Sequence, residues 1–161
     1  MIGIISDTHD NVFAIKKAVE VFKKKNVELV LHLGDIIAPV TVLYFKDLRV
    51  KFVLGNCDGD VENIKKRINE IDGEFLGTFS ELELKNKKIA LLHGKDAKKL
   101  NELILSNEYD YILHGHTHTK RDEKIGNTRI INSGAFYPIV EEKTIAILDI
   151  ANDKVEFIKI D

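Results

Sequence analysis

Ile2-Gly3-Ile4-Ile5-Ser6-Asp7-Thr8-His9 is the stretch whose reading decides the fold. A short apolar run, patterned like a strand buried on both faces, delivers a carboxylate and an imidazole just past its end. The arrangement recurs along the chain. Glu28 to Leu33 reads as a second strand ending in Gly34-Asp35, and Val50 to Leu54 as a third ending in Gly55-Asn56. Lys88 to Leu92 runs into His93-Gly94, and Tyr111 to His114 into Gly115-His116-Thr117-His118. Strand ends are where an α/β sheet gathers its loops, and ligands bind there. Carboxylate, amide and imidazole groups meeting at one sheet edge form a donor set for divalent transition-metal ions, and their number favours two ions.

The intervening segments complete the architecture. Asn11 caps a predicted helix in which Val12, Ile15, Val19 and Phe22 share one face. Pro39 suits the first turn of a helix running to about Lys46, and a polar helix spans about Asp60 to Ile71. Glu74 to Leu84 reads as one strand, Lys85-Asn86-Lys87 as a turn, and Asp96 as the cap of a further helix. Gly126-Asn127 and Asn152-Asp153 read as hairpin turns. A βαβαβ first half and a mostly β second half with one helix predict an α/β protein. Its expected form is a four-layer α/β/β/α sandwich, two mixed sheets flanked by helices. One domain over residues 1–161 is expected, with no repeat and no linker.

Composition narrows the function classes. The net charge of -2 gives no footprint of a dedicated nucleic-acid surface. Lys23-Lys24-Lys25 and the lysines around Asn86 read as solvated faces and turns. The single cysteine, Cys57, excludes an intrachain disulfide and points to a reducing, cytoplasmic setting. Ile2 to Ile5 is too short, and lacks the basic residues, for a signal peptide. The longest apolar run, Ile36 to Phe45, is too short for a membrane span. That run and Ala135 to Val140 read as core, with a homodimer interface or a cleft wall as the alternatives. Abundant Lys, Glu and Ile without glutamine or tryptophan fits a thermophile.

The ordered set Asp7-Thr8-His9, Gly34-Asp35, Gly55-Asn56-Cys57-Asp58, His93-Gly94 and Gly115-His116-Thr117-His118 resembles the calcineurin-like metallophosphoesterases, in particular their small single-domain phosphodiesterase group. The likeness runs from Ile2 to about Gly134. It implies one metal held by Asp7, His9, Asp35 and His118, and a second held by Asp35, Asn56, His93 and His116, with Asp35 as the bridge. It implies hydrolysis of phosphate esters by attack of a metal-bridging hydroxide, with Asp35, Asn56 and Cys57 at the catalytic centre. Mixed N/O donors without thiolate suit Mn or Ni, with Fe, Co or Zn as alternatives, over Ca.

The chain also departs from its relatives. Many carry a histidine that protonates the leaving group where Cys57 stands, and a thiol is a poor general acid at neutral pH. Asp58 reads either as a support for His9 or another ligand, or as the cap of the next turn. No arginine follows Gly34-Asp35, which lowers the phosphoprotein-phosphatase reading. Lys95 stands where a second histidine is frequent, and reads either as a point charge for substrate phosphate or as a solvated loop lysine. His32 reads as structural, and His114 as packed beside the site. A small phosphodiester is the expected substrate. The alternatives are a phosphomonoesterase, a nuclease of the same fold, or a non-catalytic protein-binding scaffold like the retromer subunit, which has lost ligands that this chain keeps.

Overall fold

A computed structural model describes residues 1–161. Eleven strands form two sheets, numbered in chain order. The first contains β1 (Ile2–Ile5), β2 (Leu29–His32), β3 (Val50–Phe52), β4 (Glu74–Phe75), β10 (Thr144–Asp149) and β11 (Lys154–Lys159), in spatial order β11-β10-β1-β2-β3-β4. The second contains β5 (Phe79–Leu84), β6 (Lys87–Leu92), β7 (Tyr111–Leu113), β8 (Arg121–Ile125) and β9 (Thr128–Asn132), in order β5-β6-β7-β9-β8. β1 to β4 are mutually parallel, as are β6, β7 and β9, while β10 runs antiparallel to β1 and β11, and β5 and β8 close the second sheet antiparallel. Both sheets are mixed, as expected.

Residue alternation along the strands builds the layers. Ile2 and Ile4 of β1, Leu29 and Leu31 of β2, and Ala146 and Leu148 of β10 meet Ile89, Leu91, Tyr111, Leu113 and Ile131 in the core between the sheets. The intervening residues Ile5, Val30, Ile145 and Ile147 face the other way. They pack under α1 (Val12–Lys24), α2 (Val61–Glu70) and a 3-10 helix over Pro39–Phe45. Ala90, Leu92, Ile112 and Ile130 do the same beneath α3 (Ala97–Ser106). Gly3 makes the α1 contact fit, because a Cβ there would stand 2.6 Å from the Phe22 ring.

Two local expectations change. The segment read as one strand from Glu74 to Leu84 is split: β4 ends the first sheet and β5 begins the second. The break falls at Gly77, at φ +75°, with Leu76 and Gly77 still hydrogen-bonded to the β3 edge (2.8 Å each) before the chain crosses over. The helix begun by Pro39 is of the tighter 3-10 type, its first turn held by the Thr41 hydroxyl donating to the Ala38 carbonyl (2.6 Å) and to Asp10 (3.0 Å). The Ile36 to Phe45 run is mostly core: Ile36, Val42 and Phe45 are buried, and Val40 alone of its large apolar side chains is strongly exposed. No helix is long and apolar enough to cross a membrane.

Candidate metal centre

The C-terminal ends of β1, β2, β3, β6 and β7 bring the five blocks to one edge of the sandwich. The glycines in those blocks are there for close approach. At Gly34, φ is +97° and a Cβ would stand 2.6 Å from the Gly55 nitrogen and 2.8 Å from His93 Nδ1. At Gly115 it would stand 2.6 Å from Asp7 Oδ2. Asp7, His9, Asp35, His116 and His118 all hold left-handed backbone conformations, as does the β-branched Ile37. Such strain persists only where the surroundings over-determine it, and it gathers at functional sites.

Each buried donor atom is aimed by a second contact. His93 Nδ1 lies 2.8 Å from the Leu33 carbonyl, which fixes the tautomer and leaves Nε2 as the free lone pair. Asp7 Oδ2 accepts from the Ser6 hydroxyl (2.5 Å) and the His116 N–H (3.0 Å), leaving Oδ1 free. Asp35 Oδ1 accepts from the Cys57 N–H (2.8 Å), leaving Oδ2. The free atoms converge. Asp35 Oδ2 lies 3.4 Å from His93 Nε2 and 3.7 Å from His9 Nε2, while Asp7 Oδ1 lies 3.3 Å from His118 Nε2 and 3.9 Å from His93 Nε2. Asp7 Oδ1 and His93 Nε2 are fully buried without any hydrogen-bond partner. Native proteins rarely tolerate such atoms unless they serve an ion or water. The donor set therefore fits a divalent cation. Asp7, His9 and His118 form one group of ligand atoms within mutual reach, Asp7, Asp35 and His93 a second, and His9, Asp35 and Cys57 a third.

The electrostatics agree. Burial opposes ionisation of Asp35, but the His93 imidazole at 3.4 Å and the Cys57 N–H outweigh it and hold the carboxyl well below the usual range. Burial likewise opposes charge on His93, yet Asp35 and Asp7 raise its pKa. Asp7 itself is pushed up by burial. His9 and His116 are pushed down by burial, which keeps them neutral and available as ligands.

The remaining named residues fall in order around this cluster. His116 packs edge-on against His93, with ring centroids 5.1 Å apart. Asn56 is exposed at the rim, its amide donating to Cys57 Sγ at 3.3 Å. Burial and the Asp35 carboxylate raise the Cys57 thiol, so it stays protonated at neutral pH. Asp58 supports a candidate ligand other than His9, namely Asp35. Its carboxylate accepts the N–H groups of Asp35, Ile36, Ile37 and Gly55 at 2.7–2.9 Å, which ties the second and third blocks together. His32, pushed down to about 4 by burial, stacks on Phe52, lies 3.1 Å from the Thr8 hydroxyl and accepts the Gly34 N–H at 3.3 Å, supporting the loops that carry the cluster. His114 lies behind the Gly115 turn.

Sequence reasoning reached Tyr137 only as part of the run Ala135 to Val140, for which a cleft wall was one alternative. The Tyr137 ring lies 4.7 Å from that of His9 and 5.1 Å from that of His118, walling the cluster on that side. Ser6 and the Leu33 carbonyl were invisible as supports, since neither residue type announces such a role. A tyrosine shortly after Asn132-Ser133-Gly134, at another strand end, was a further available signal.

A domain model described as the calcineurin-like phosphoesterase superfamily matches residues 1–153. The chain belongs to that superfamily. It is a phosphoric ester hydrolase by kinship. A phosphodiesterase of Methanocaldococcus jannaschii is 34% identical over 136 residues, which cover 83% of this chain and 82% of the relative. The solved structure of an archaeal phosphodiesterase superposes with a TM-score of 0.93 at 32% identity, covering 98% of both chains. Vacuolar Protein Sorting 29 of Entamoeba histolytica, solved with zinc, superposes at 0.67 with 19% identity and 99% of both chains, and so shares the fold. The superfamily works with divalent metals, and the buried donor cluster described above is this member's candidate for that role.

Proposed function

We propose that this superfamily member is a dinuclear, metal-dependent phosphodiesterase acting on a small phosphodiester. One observation carries the reading: two of the four partnerless buried side-chain atoms, Asp7 Oδ1 and His93 Nε2, face Asp35 Oδ2 and the imidazoles across less than 4 Å. Asp7, His9, Asp35 and His118 would hold one ion, and Asp35, Asn56, His93 and His116 the other. Asp35 Oδ2 lies 3.7 Å from His9 Nε2 of the first set and 3.4 Å from His93 Nε2 of the second, which supports reading it as a ligand common to both. Divalent ions in such a setting supply Lewis-acid stabilisation of phosphoryl charge and acidify water. Mn²⁺ and Ni²⁺ suit the mixed oxygen and nitrogen donors best.

The chain's own residues orient and shield. Leu33, Ser6 and the backbone N–H groups of Cys57 and His116 set the direction of the acidic and imidazole donors before substrate arrives. Tyr137 excludes water on one flank. Asn56 and Cys57 line the exposed flank that faces the ester. Protonated Cys57 is too weak a donor to drive leaving-group departure, so esters with good leaving groups are favoured.

The test is hydrolysis of bis-p-nitrophenyl phosphate by chelator-stripped protein, with Mn²⁺, Ni²⁺, Co²⁺, Zn²⁺ or Mg²⁺ returned singly and Asn56→Ala alongside. Metal-dependent turnover that Asn56→Ala loses is expected. Bound metal without turnover under any ion would move the assignment to a protein-binding scaffold.

A further inference from the structure

Two clefts open beside the carboxylate–imidazole cluster, and they differ in charge. One, of about 360 Å³, has Asn56 and His93 in its wall and continues along Thr78, Lys95, Asp96 and Lys99. The other, of about 530 Å³, starts at His118 and passes Lys120, Glu141 and Glu142.

In the first cleft the ammonium groups are free for a ligand. Many lysines of this chain are salt-bridged, but neither Lys95 nor Lys99 pairs with any acid. The one carboxylate in the lining, Asp96, is turned to its own helix, where it accepts the Lys99 N–H at 3.1 Å as the cap of α3. Lys99 Nζ sits 4.4 Å above the Phe79 ring, which steadies the ammonium without neutralising it. The second cleft has the opposite balance. Lys120 is bound to Glu142 at 2.8 Å, and the Glu141 carboxylate has no cationic partner.

We infer that the cleft lined by Lys95 and Lys99 binds one arm of the substrate and that this arm carries a second phosphate. The inference rests on the phosphodiesterase reading and names its substrate class: an asymmetric phosphodiester with a phosphorylated arm toward α3 and an uncharged arm toward Glu141. Two unpaired ammonium groups in one concave wall focus a positive field. Lysine suits a phosphate as a point charge. The cleft volume is that of a small-ligand pocket. Glu141 repels the same arm from the other side, so the charge pattern sets the direction in which the diester lies as well as its affinity.

The experiment compares butyl p-nitrophenyl phosphate with its ω-phosphorylated counterpart as substrates of the Mn²⁺-supplied protein. Binding of butyl phosphate and of butane bisphosphate is measured in parallel by calorimetry. Two partly exposed phosphate–lysine contacts should lower KM, and the calorimetric Kd, roughly tenfold for the doubly charged compound. Lys95→Gln with Lys99→Gln should bring both ratios close to one, and added salt should erode them in the parent protein. Equal KM and equal binding in the parent protein would overturn the inference, as would an undiminished preference in the double variant. If neither ester is hydrolysed but the bisphosphate still binds more tightly through the lysines, the anion subsite stands and the phosphodiesterase reading fails.

Discussion

At the scale of single residues the buried donors Asp7, Asp35 and His93 each spend one atom on the protein and keep one free. Asp35 is the extreme case, with Oδ1 bound to the Cys57 N–H and Oδ2 between two imidazoles. Asp35→Asn should remove the shared negative atom and lower bound metal at both positions, with turnover falling at least about 100-fold, since even residues that merely support a ligand cost 10–100-fold. Metal content by mass spectrometry together with the rate checks it, and a fully loaded, fully active variant would count against the bridge. Cys57 offers a second test. Cys57→His places a competent acid at the exposed flank and should raise turnover of poor leaving groups over good ones by about tenfold or more. An unchanged ratio between a p-nitrophenyl and an alkyl ester would reject the leaving-group argument. The candidate ligand residues were legible because Asp, Asn and His recur at strand ends in one order. The aiming contacts were not, because a serine hydroxyl, a leucine carbonyl and a distant tyrosine acquire their roles only when separate loops meet.

At the scale of elements, the loop after β2 is one of the strained parts, with Asp35 and Ile37 at positive φ. Asp58 holds it from the next loop by four N–H hydrogen bonds, working as an anionic clamp. Asp58→Ala would orphan four donors, two of them buried and two part-buried, and should cost about 3 kcal/mol in urea unfolding, since each such group is worth about 1 kcal/mol or more. Asp58→Asn, which keeps an acceptor oxygen, should lose less; equal losses would show that the clamp does not work through its hydrogen bonds. The strands and most helices were readable from apolar periodicity, and Asn11, Asp60 and Asp96 cap the three α-helices through side-chain bonds to the first turn. The division of Glu74 to Leu84 was not readable. Its apolar positions look alike on either side of Gly77, and only the edges waiting in two different sheets assign β4 to one and β5 to the other.

At the scale of the whole molecule, two kinds of contact join the sheets. Apolar side chains fill the layer between them, and at the end of the sandwich Asp153, in the turn between β10 and β11, reaches the second sheet. Burial by itself would raise the Asp153 carboxyl, but Lys124, Arg129 and the Tyr111 hydroxyl outweigh it and hold it at about 2. A carboxyl depressed in the folded state stabilises above its unfolded value near 4, and that stabilisation is lost as pH falls from about 4 to about 2. Asp153→Asn should therefore lower the melting temperature at pH 7 by a few degrees, roughly the effect of 1 kcal/mol in a chain of this size. The deficit should shrink to nothing as the pH approaches 2. A deficit that persists there would mean that the ion pairs are not its source.

By itself the sequence determined the layered α/β architecture, the superfamily and the identity of the candidate ligands. Alternation of apolar residues and the chemistry of Asp, Asn and His are local properties, written in neighbouring positions. Only the tertiary structure decided which atom of each ligand stays free, that Asp58 clamps backbone, that Tyr137 walls the site, and that the two flanking clefts carry opposite charge. Those properties belong to pairs of residues far apart in the chain, Asp7 with His116 and Asp35 with Asp58 among them. Their distances are set by how the two sheets pack, which no single stretch of sequence records.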